Sequence, residues 1–455
     1  MFATDDTIVA IATPHGRGAL GIVRLSGPAA ASIVMGLIRG GRPLLPRVAT
    51  WAQVQSDDSS ADAVLDEVVV TYFPGPRSAT GQDVVEVSAH GSPVVLDGIV
   101  RGAVALGARP AAPGEFTLRS FLNGRRDLVR CEAVRDLIDA ETPLQARVAF
   151  DQLDGGLTRR IAQIESRLFD LVARLEASLD FPDEGYRFVE RRDVVRDLDA
   201  AIHDVDTLLA SSERGRVIRD GATVAIVGRT NVGKSSLFNR LVGSERAIVT
   251  ASPGTTRDLV TERVTMSGIS LTLADTAGRR ESRDDIEREG IARAAEAIRT
   301  ADLTVVVIDG SRELSNDDVE CFESCRHGRH VVAFNKCDLP TVVSRDRFAG
   351  SIVVSVSARE ARGIEDLRAQ IVKGLRGDED PREHPVVSNI RHRDLLRAAR
   401  ESLNGARRSA AVVECPEELL LTELHEVQEW FGEILGRRTT DDLLKHIFEH
   451  FCIGK

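Results

Sequence analysis

The stretch Gly228-Arg229-Thr230-Asn231-Val232-Gly233-Lys234-Ser235 has the residue types, at the spacing, to hold a polyphosphate. It follows an apolar run, Thr223-Val224-Ala225-Ile226-Val227, and precedes Ser236-Leu237-Phe238-Asn239-Arg240-Leu241-Val242, whose apolar residues have helical spacing. A strand, a glycine turn and a helix start direct backbone N–H groups at phosphate oxygens. Gly228 and Gly233 let the chain curl inward. Lys234 is positioned to reach the β- and γ-phosphates, and the Ser235 hydroxyl to ligate Mg²⁺. The chain has 5 lysines against 54 arginines. A lysine kept here marks a place that needs a compact ammonium and not a planar guanidinium.

Three further clusters name the nucleotide. Asp275-Thr276-Ala277-Gly278 follows the strand-like residues 269–274; its Asp can hold Mg²⁺ through water and its Gly N–H can touch the γ-phosphate. Asn335-Lys336-Cys337-Asp338 closes a second apolar run. A carboxylate there accepts from both N1–H and the 2-amino group of guanine, a pair that adenine lacks. Ser357-Ala358-Arg359 follows the next strand and can present a backbone N–H to the guanine O6. The order and contexts are those of a GTPase.

The expected GTP contacts are therefore Asn231, Val232, Gly233, Lys234, Ser235 and Ser236 in the phosphate loop. They continue through Thr250, Ala251, Ser252, Pro253, Gly254, Thr255 and Thr256 where the first switch should lie. Asp275, Thr276, Ala277, Gly278, Asn335, Lys336, Asp338, Ser357, Ala358 and Arg359 complete the set. Arg279 stands where Ras-like proteins carry a water-orienting Gln, so the usual catalytic side chain is missing. The Asn231 amide and the carbonyls of the switch loop can instead build an oxygen cage for a monovalent cation beside the phosphates, doing the work of an arginine finger.

These residues need an α/β frame, and the chain supplies one. From about 220 to 376, apolar runs such as residues 303–308 and 330–334 alternate with helical patterns, as in a parallel sheet covered on both faces. Residues 1–120 read as a separate α+β domain, with strands at 7–12, 20–25, 67–73 and 83–87, the last followed by Ala89-His90-Gly91 and a helix from 93 to 106. From 121 to 217, and again from 377 to 455, apolar residues recur at three- and four-residue spacings. The expected organisation is an N-terminal α+β domain (1–120), a helical domain in two parts (121–217 and 377–455), and a Ras-like G domain (218–376) inserted between them.

Composition excludes several classes. The 455 residues suggest about three domains. At 42% hydrophobic and 28% charged the chain reads as ordinary and globular. No apolar run reaches the ~18 residues of a membrane span, and the N-terminus lacks the pattern of a signal peptide, so a cytoplasmic protein is expected. The six cysteines show no Cys-x-x-Cys pair and read as free thiols. A net charge of −11 argues against a generic electrostatic grip on nucleic acid.

Taken end to end, the chain resembles the MnmE (TrmE) family of tRNA-modification GTPases. The resemblance rests on Asp6-Thr7-Ile8-Val9-Ala10, Gly16-Arg17-Gly18, Thr80-Gly81-Gln82-Asp83, Pro113-Gly114-Glu115-Phe116-Thr117 and Phe121-Leu122-Asn123-Gly124. It extends through Asp180-Phe181-Pro182-Asp183-Glu184, Gly254-Thr255-Thr256-Arg257-Asp258 and the terminal Phe451-Cys452-Ile453-Gly454-Lys455. It implies a homodimer joined through a folate-binding-like N-terminal domain. It also implies a flavin-dependent (FAD) partner, MnmG, in an expected heterotetramer, with the tRNA gripped mainly by that partner. The implied activity adds an aminomethyl-type or carboxymethylaminomethyl group to C5 of the wobble uridine of certain tRNAs, with a tetrahydrofolate derivative supplying the one-carbon unit.

By matching positions, the resemblance puts K⁺ on Asn231, Thr250, Ser252 and Thr255, and Mg²⁺ on Ser235 and Thr256. Glu287 would position the attacking water beside the catalytic Lys234. Arg24, Glu86, Arg125 and Lys455 would contact the folate, and Cys452 would take part in the tRNA chemistry, with a packed thiol as its alternative. Ser78-Ala79-Thr80-Gly81-Gln82 lacks an aromatic and a Glu common in the family, and Arg125 stands where Lys is expected in some relatives. A cation-dependent ribosome-assembly GTPase is the alternative reading, but no second G domain or basic RNA-binding module is visible.

Overall fold

In the computed structural model, residues 4–41, 43–55, 63–180, 190–243, 260–275, 296–377, 386–412 and 416–454 are described. The chain clusters into two compact units. One comprises Met1–Arg135, Leu153–Thr158 and Phe431–Lys455; the other comprises Asp136–Gln152 and Arg159–Trp430.

The first unit is built on six strands: β1 (Ile8–Ile11), β2 (Gly18–Ser26), β3 (Thr50–Gln55), β4 (Val64–Phe73), β5 (Val84–Gly91) and β6 (Arg109–Pro110), in the order β3-β4-β5-β2-β1-β6. Alternation along the strands buries Val23, Leu25, Val68, Val70, Val85 and Val87, which share one core with Ile33 and Val34 of helix Ala30–Leu37 and Ile99 of helix Pro93–Ala105. The α+β reading stands, with two differences. Strand β3, whose polar residues carried no strand signal, forms the sheet edge. Strand β5 runs on through Ala89-His90-Gly91, because Leu20 and Gly18 pair with His90 and Gly91.

Many of the motif residues of this unit meet in one buried ion network. Arg119 is 1% exposed. Its guanidinium donates to the Asp6 and Glu115 carboxylates at 2.5 and 2.9 Å and to Gln82 Oε1 at 3.1 Å. Burial pushes the Glu115 carboxyl upward, but Arg109, the Ala112 N–H and Arg119 bring it below its ordinary range. The segment at the C-terminus, read from sequence as the end of the helical part, clusters with this sheet. After helix Asp441–Glu449, Phe451 is buried with Leu118, Leu128, Leu444 and Phe448.

The second unit holds β7 (Ala222–Val227), β8 (Val260–Met266), β9 (Ile269–Asp275), β10 (Leu303–Asp309), β11 (His330–Asn335) and β12 (Ile352–Ser355), ordered β12-β11-β10-β7-β9-β8. The expected all-parallel sheet is mixed, because β8 returns antiparallel to β9 through a tight turn at Ser267-Gly268. Both faces are covered. Ile226, Val305, Val307 and Ala333 pack with Leu237, Leu241, Leu367 and Ile371 from helices Lys234–Val242 and Ile364–Arg376. Ala225, Val306, Ile308 and Val332 pack on the other side with Phe322 of helix Asn316–Cys325. Helices Arg191–Asp220 and Ile390–Ala411 belong to the helical remainder of this unit. No helix among the described residues is long and apolar enough to cross a membrane.

Candidate nucleotide site and C-terminal tail

Strand register brings the motif residues of the second unit to one sheet edge. Ile226 is paired with Asp275, Val306 with Val227, Asp309 with Asn335, and Phe334 with Ser355. Residues just beyond these C-terminal strand ends therefore converge, where a doubly covered sheet presents its crevice. Helix Lys234–Val242 starts there, with Gly233 as its left-handed N-cap at φ 98°. A Cβ on Gly233 would lie 2.3 Å from Asn335 Nδ2, so the position tolerates no side chain. Asn231, in the same loop, also has positive φ, at 64°.

Lys234 is 8% exposed, and its Nζ donates to the Gly228 and Arg229 carbonyls at 2.7 and 2.9 Å. Burial pushes this ammonium down, against the pull of the buried Asp275 carboxylate. Ser235 and Ser236 are exposed at the helix start.

The residues expected to recognise the base are interlocked with this loop. Asn335 donates through Nδ2 to the Val232 carbonyl at 2.8 Å and accepts through Oδ1 from the Ala358 N–H at 3.0 Å. Ala358 N–H is thus engaged by Asn335. Lys336 Nζ reaches the Asn231 carbonyl at 3.3 Å and the Asp309 carboxylate at 2.6 Å. Asp309 carried no sequence signal beyond its place after an apolar run. Burial pushes its carboxyl up, but Lys336 and Ser311 hold it below the ordinary range. Ser357 Oγ donates to Asp338 Oδ1 at 2.6 Å, and this bond, working against desolvation, holds the half-buried Asp338 carboxyl below its ordinary range. An ionised, oriented carboxylate is the form that accepts from two donors. Arg240, missed from sequence, donates to the carbonyls of Ala358 and Arg359 at 2.8 and 2.9 Å.

The expected residues Thr250, Ala251, Ser252, Pro253, Gly254, Thr255, Thr256, Thr276, Ala277, Gly278, Glu287 and Lys455 lie outside the described residues. Asn231 and Ser235 are thus the described members of the expected K⁺ and Mg²⁺ sets.

In the first unit, Arg24 and Glu86 face each other across β2 and β5, with Arg24 Nε 2.8 Å from Glu86 Oε1. The pair is largely shielded, at 19% and 26% side-chain exposure, and Arg24 also lies over the Phe116 ring. The chain's own C-terminal tail completes this neighbourhood. Arg24 Nη1 donates to the Gly454 carbonyl at 3.3 Å, and Gly114 N–H donates to the Cys452 carbonyl at 3.4 Å. Gly454 adopts φ 92°, and a Cβ on it would meet the Ile11 carbonyl at 2.3 Å. The close approach requires glycine. Cys452 is exposed.

Arg125 is exposed. Its backbone N–H donates to the Ser120 carbonyl at 2.8 Å, and its stem lies beside Gly81. The turn carrying Gly81 is fixed by Ser78 Oγ, which donates to the Gln82 carbonyl and accepts from the Gly81 N–H at 3.0 Å. Asn123 Nδ2 donates to the Thr80 carbonyl at 2.8 Å. Arg24 and Glu86 are brought together, and Arg125 joins neither in a described contact.

Comparison with known proteins places these sites in context. Residues 7–125 match the family described as GTP-binding protein TrmE N-terminus, and residues 128–452 match the MnmE helical domain. The tRNA modification GTPase MnmE of Aquifex aeolicus is 41% identical over 450 residues, covering 99% of this chain and 100% of that protein. The protein of the same name from Koribacter versatilis is 44% identical over 462 residues, covering 99% of each. That from Stutzerimonas stutzeri is 41% identical over 462 residues, covering 100% of each.

Proposed function

Because this chain belongs to the MnmE family of tRNA-modification GTPases, we propose that its GTP hydrolysis is K⁺-stimulated and Mg²⁺-dependent and serves wobble-uridine modification. It works with the flavoprotein MnmG, as a homodimer, to install an aminomethyl or carboxymethylaminomethyl group at C5 of uridine 34 of certain tRNAs. The one-carbon unit comes from a tetrahydrofolate derivative. The division of labour follows residues 1–120 for folate and dimerisation, 121–217 with 377–455 for the helices, and 218–376 for the nucleotide. The observation that carries the reading is the seating of the C-terminal tail: Gly454 rests on Arg24, beside Glu86. A folate bears carboxylates at one end and an amide-like pterin edge at the other, and needs cations and a carboxylate to meet them. Arg24 and Glu86 offer both from one ion pair.

At the nucleotide, the Gly233 turn and the N-terminus of helix Lys234–Val242 cradle phosphate with backbone N–H groups, and Lys234 neutralises charge on the β- and γ-oxygens. The bound K⁺ and Mg²⁺ would supply the remaining positive charge, held by Asn231, Thr250, Ser252 and Thr255 and by Ser235 and Thr256 respectively. The fit on the described side is Asn231, whose left-handed backbone sits in the loop where the cage is needed. Glu287 orients water for attack.

Asp338 selects guanine. In D338N the amide oxygen can still accept from Ser357, but an NH₂ then faces a guanine donor. GTP affinity should fall at least about 100-fold and preference should move to xanthine nucleotides, whose 2-oxo group accepts. Titration calorimetry with GTP and XTP reads this directly, and an unchanged GTP affinity removes Asp338 from the base site. Nucleoside analysis of tRNA from a strain lacking the gene tests the function as a whole. Loss of the modified wobble uridine is expected; intact wobble uridines with defective ribosome subunits would favour the ribosome-assembly alternative.

A further inference from the structure

We propose that Arg240 is a positioning residue for guanine selection, because it ties the base-recognition loop to the helix that begins in the phosphate cradle. This rests on reading Asp338 and Ser357–Arg359 as the base site. Arg240 lies near the far end of the helix that starts with Lys234 and Ser235. Its Nε donates to the Ala358 carbonyl at 2.8 Å and its Nη2 to the Arg359 carbonyl at 2.9 Å. The guanidinium fork thus takes two consecutive carbonyls, a geometry that an ammonium cannot reproduce.

The loop is gripped from the other side as well. Asn335 holds the Ala358 N–H at 3.0 Å and the Val232 carbonyl at 2.8 Å. Ala358 is therefore held through its N–H by one connector and through its carbonyl by another, and both connectors lead to the phosphate-loop element. The helix end that carries Arg240 is itself fixed, because Arg368 Nη2 donates to the Leu241 carbonyl at 2.7 Å.

Within the loop, Ser357 Oγ donates to Asp338 and accepts from the Glu360 N–H at 3.1 Å. Displacing Ala358 and Arg359 would therefore move the hydroxyl that orients the Asp338 carboxylate. A nucleotide spans both loops at once, so the distance between them is part of its recognition, and misplacement by a fraction of an ångström weakens an oriented contact steeply. Asp338 is an inherent part of the base contact. Arg240 acts through the backbone of Ala358 and Arg359.

The ordinary alternative is that Arg240 only satisfies carbonyls and adds stability. A double-mutant cycle separates the two. GTP affinity is measured by titration for the full-length chain, R240A, R240K, D338N and R240A/D338N, with thermal unfolding of each as a check of folding. R240A should weaken GTP by about tenfold, with R240K between it and the parent and with kcat at saturating GTP within about twofold. In the D338N background the same change should cost less than about threefold, because the contact it positions is already lost. Equal costs in both backgrounds, or no cost in either, would overturn the role of Arg240 while leaving the base site standing. If D338N itself leaves GTP affinity intact, the base-site reading fails and the proposal with it.

Discussion

Removing Cys452–Lys455 is expected to abolish wobble-uridine modification and to weaken 5-formyl-tetrahydrofolate binding by at least about tenfold, with intrinsic GTP hydrolysis kept within about twofold. The cut starts after Phe451 for a physical reason. Phe451 is 6% exposed in a cluster with Leu118, Leu128 and Phe448, so its loss would cost core packing and blur the result. Of the described residues beyond it, Cys452 and Ile453 are exposed and Gly454 has no side chain to pack. They contribute the Cys452 carbonyl to Gly114, the Gly454 carbonyl to Arg24, and the terminal Lys455. Deleting them takes an acceptor from Arg24 but leaves its pair with Glu86, so the sheet should keep its stability. Lys234, Asn335, Lys336, Asp338 and Ser357, which carry the nucleotide reading, all belong to the other unit. Calorimetric folate binding, hydrolysis rate and tRNA nucleoside content, measured on one preparation, read the three outcomes separately. Unchanged folate affinity together with intact modification would leave the tail without a part in the reaction.

The motifs of the candidate nucleotide site were legible in sequence because they are local. A glycine turn between an apolar run and a helix, or an Asn-Lys-x-Asp after a strand, announces itself within eight residues. The links that hold these parts in register are not local. Arg240 meets Ala358 and Arg359, and Lys336 meets Asp309, across many intervening residues, and each looks alone like an ordinary surface charge or strand-end acid. Strand β3 went unread because Thr50, Gln53 and Gln55 dilute its pattern and its pairing with β4 is what makes it a strand. The antiparallel β8 was a missed hairpin signal, since Ser267-Gly268 separates two alternating runs.

In the N-terminal unit the motif residues Asp6, Gln82 and Glu115 drew notice as marks of resemblance. The fold gives them a physical task, the satisfaction of the buried Arg119. A buried guanidinium left without its carboxylates would be costly. The Arg24–Glu86 pair illustrates the opposite limit. Singly, each residue reads as a surface charge; only the β2–β5 register sets them face to face, and only the folded tail adds Gly454.

We propose that hydrolysis assisted by a monovalent cation, in place of an arginine finger or a switch Gln, drives the modification. Arg279 occupies the position of that Gln, and Asn231 holds a left-handed backbone in the phosphate loop. A cage of oxygens sized for K⁺ fits the smaller Na⁺ badly, and the transition-state charge then loses its partner. Hydrolysis should be at least about tenfold faster in KCl than in NaCl, and Glu287→Ala should lower kcat while leaving GTP binding nearly unchanged, because the role proposed for Glu287 arises with the attacking water. The most direct measurement follows GTP hydrolysis and wobble-uridine modification together, with the 455-residue chain, the proposed flavoprotein partner, a reduced folate and tRNA, in KCl and in NaCl at matched ionic strength. Both rates should be high in K⁺ and collapse together in Na⁺; equal rates in the two salts, or modification that persists when hydrolysis stops, would rule out a cation-driven reaction.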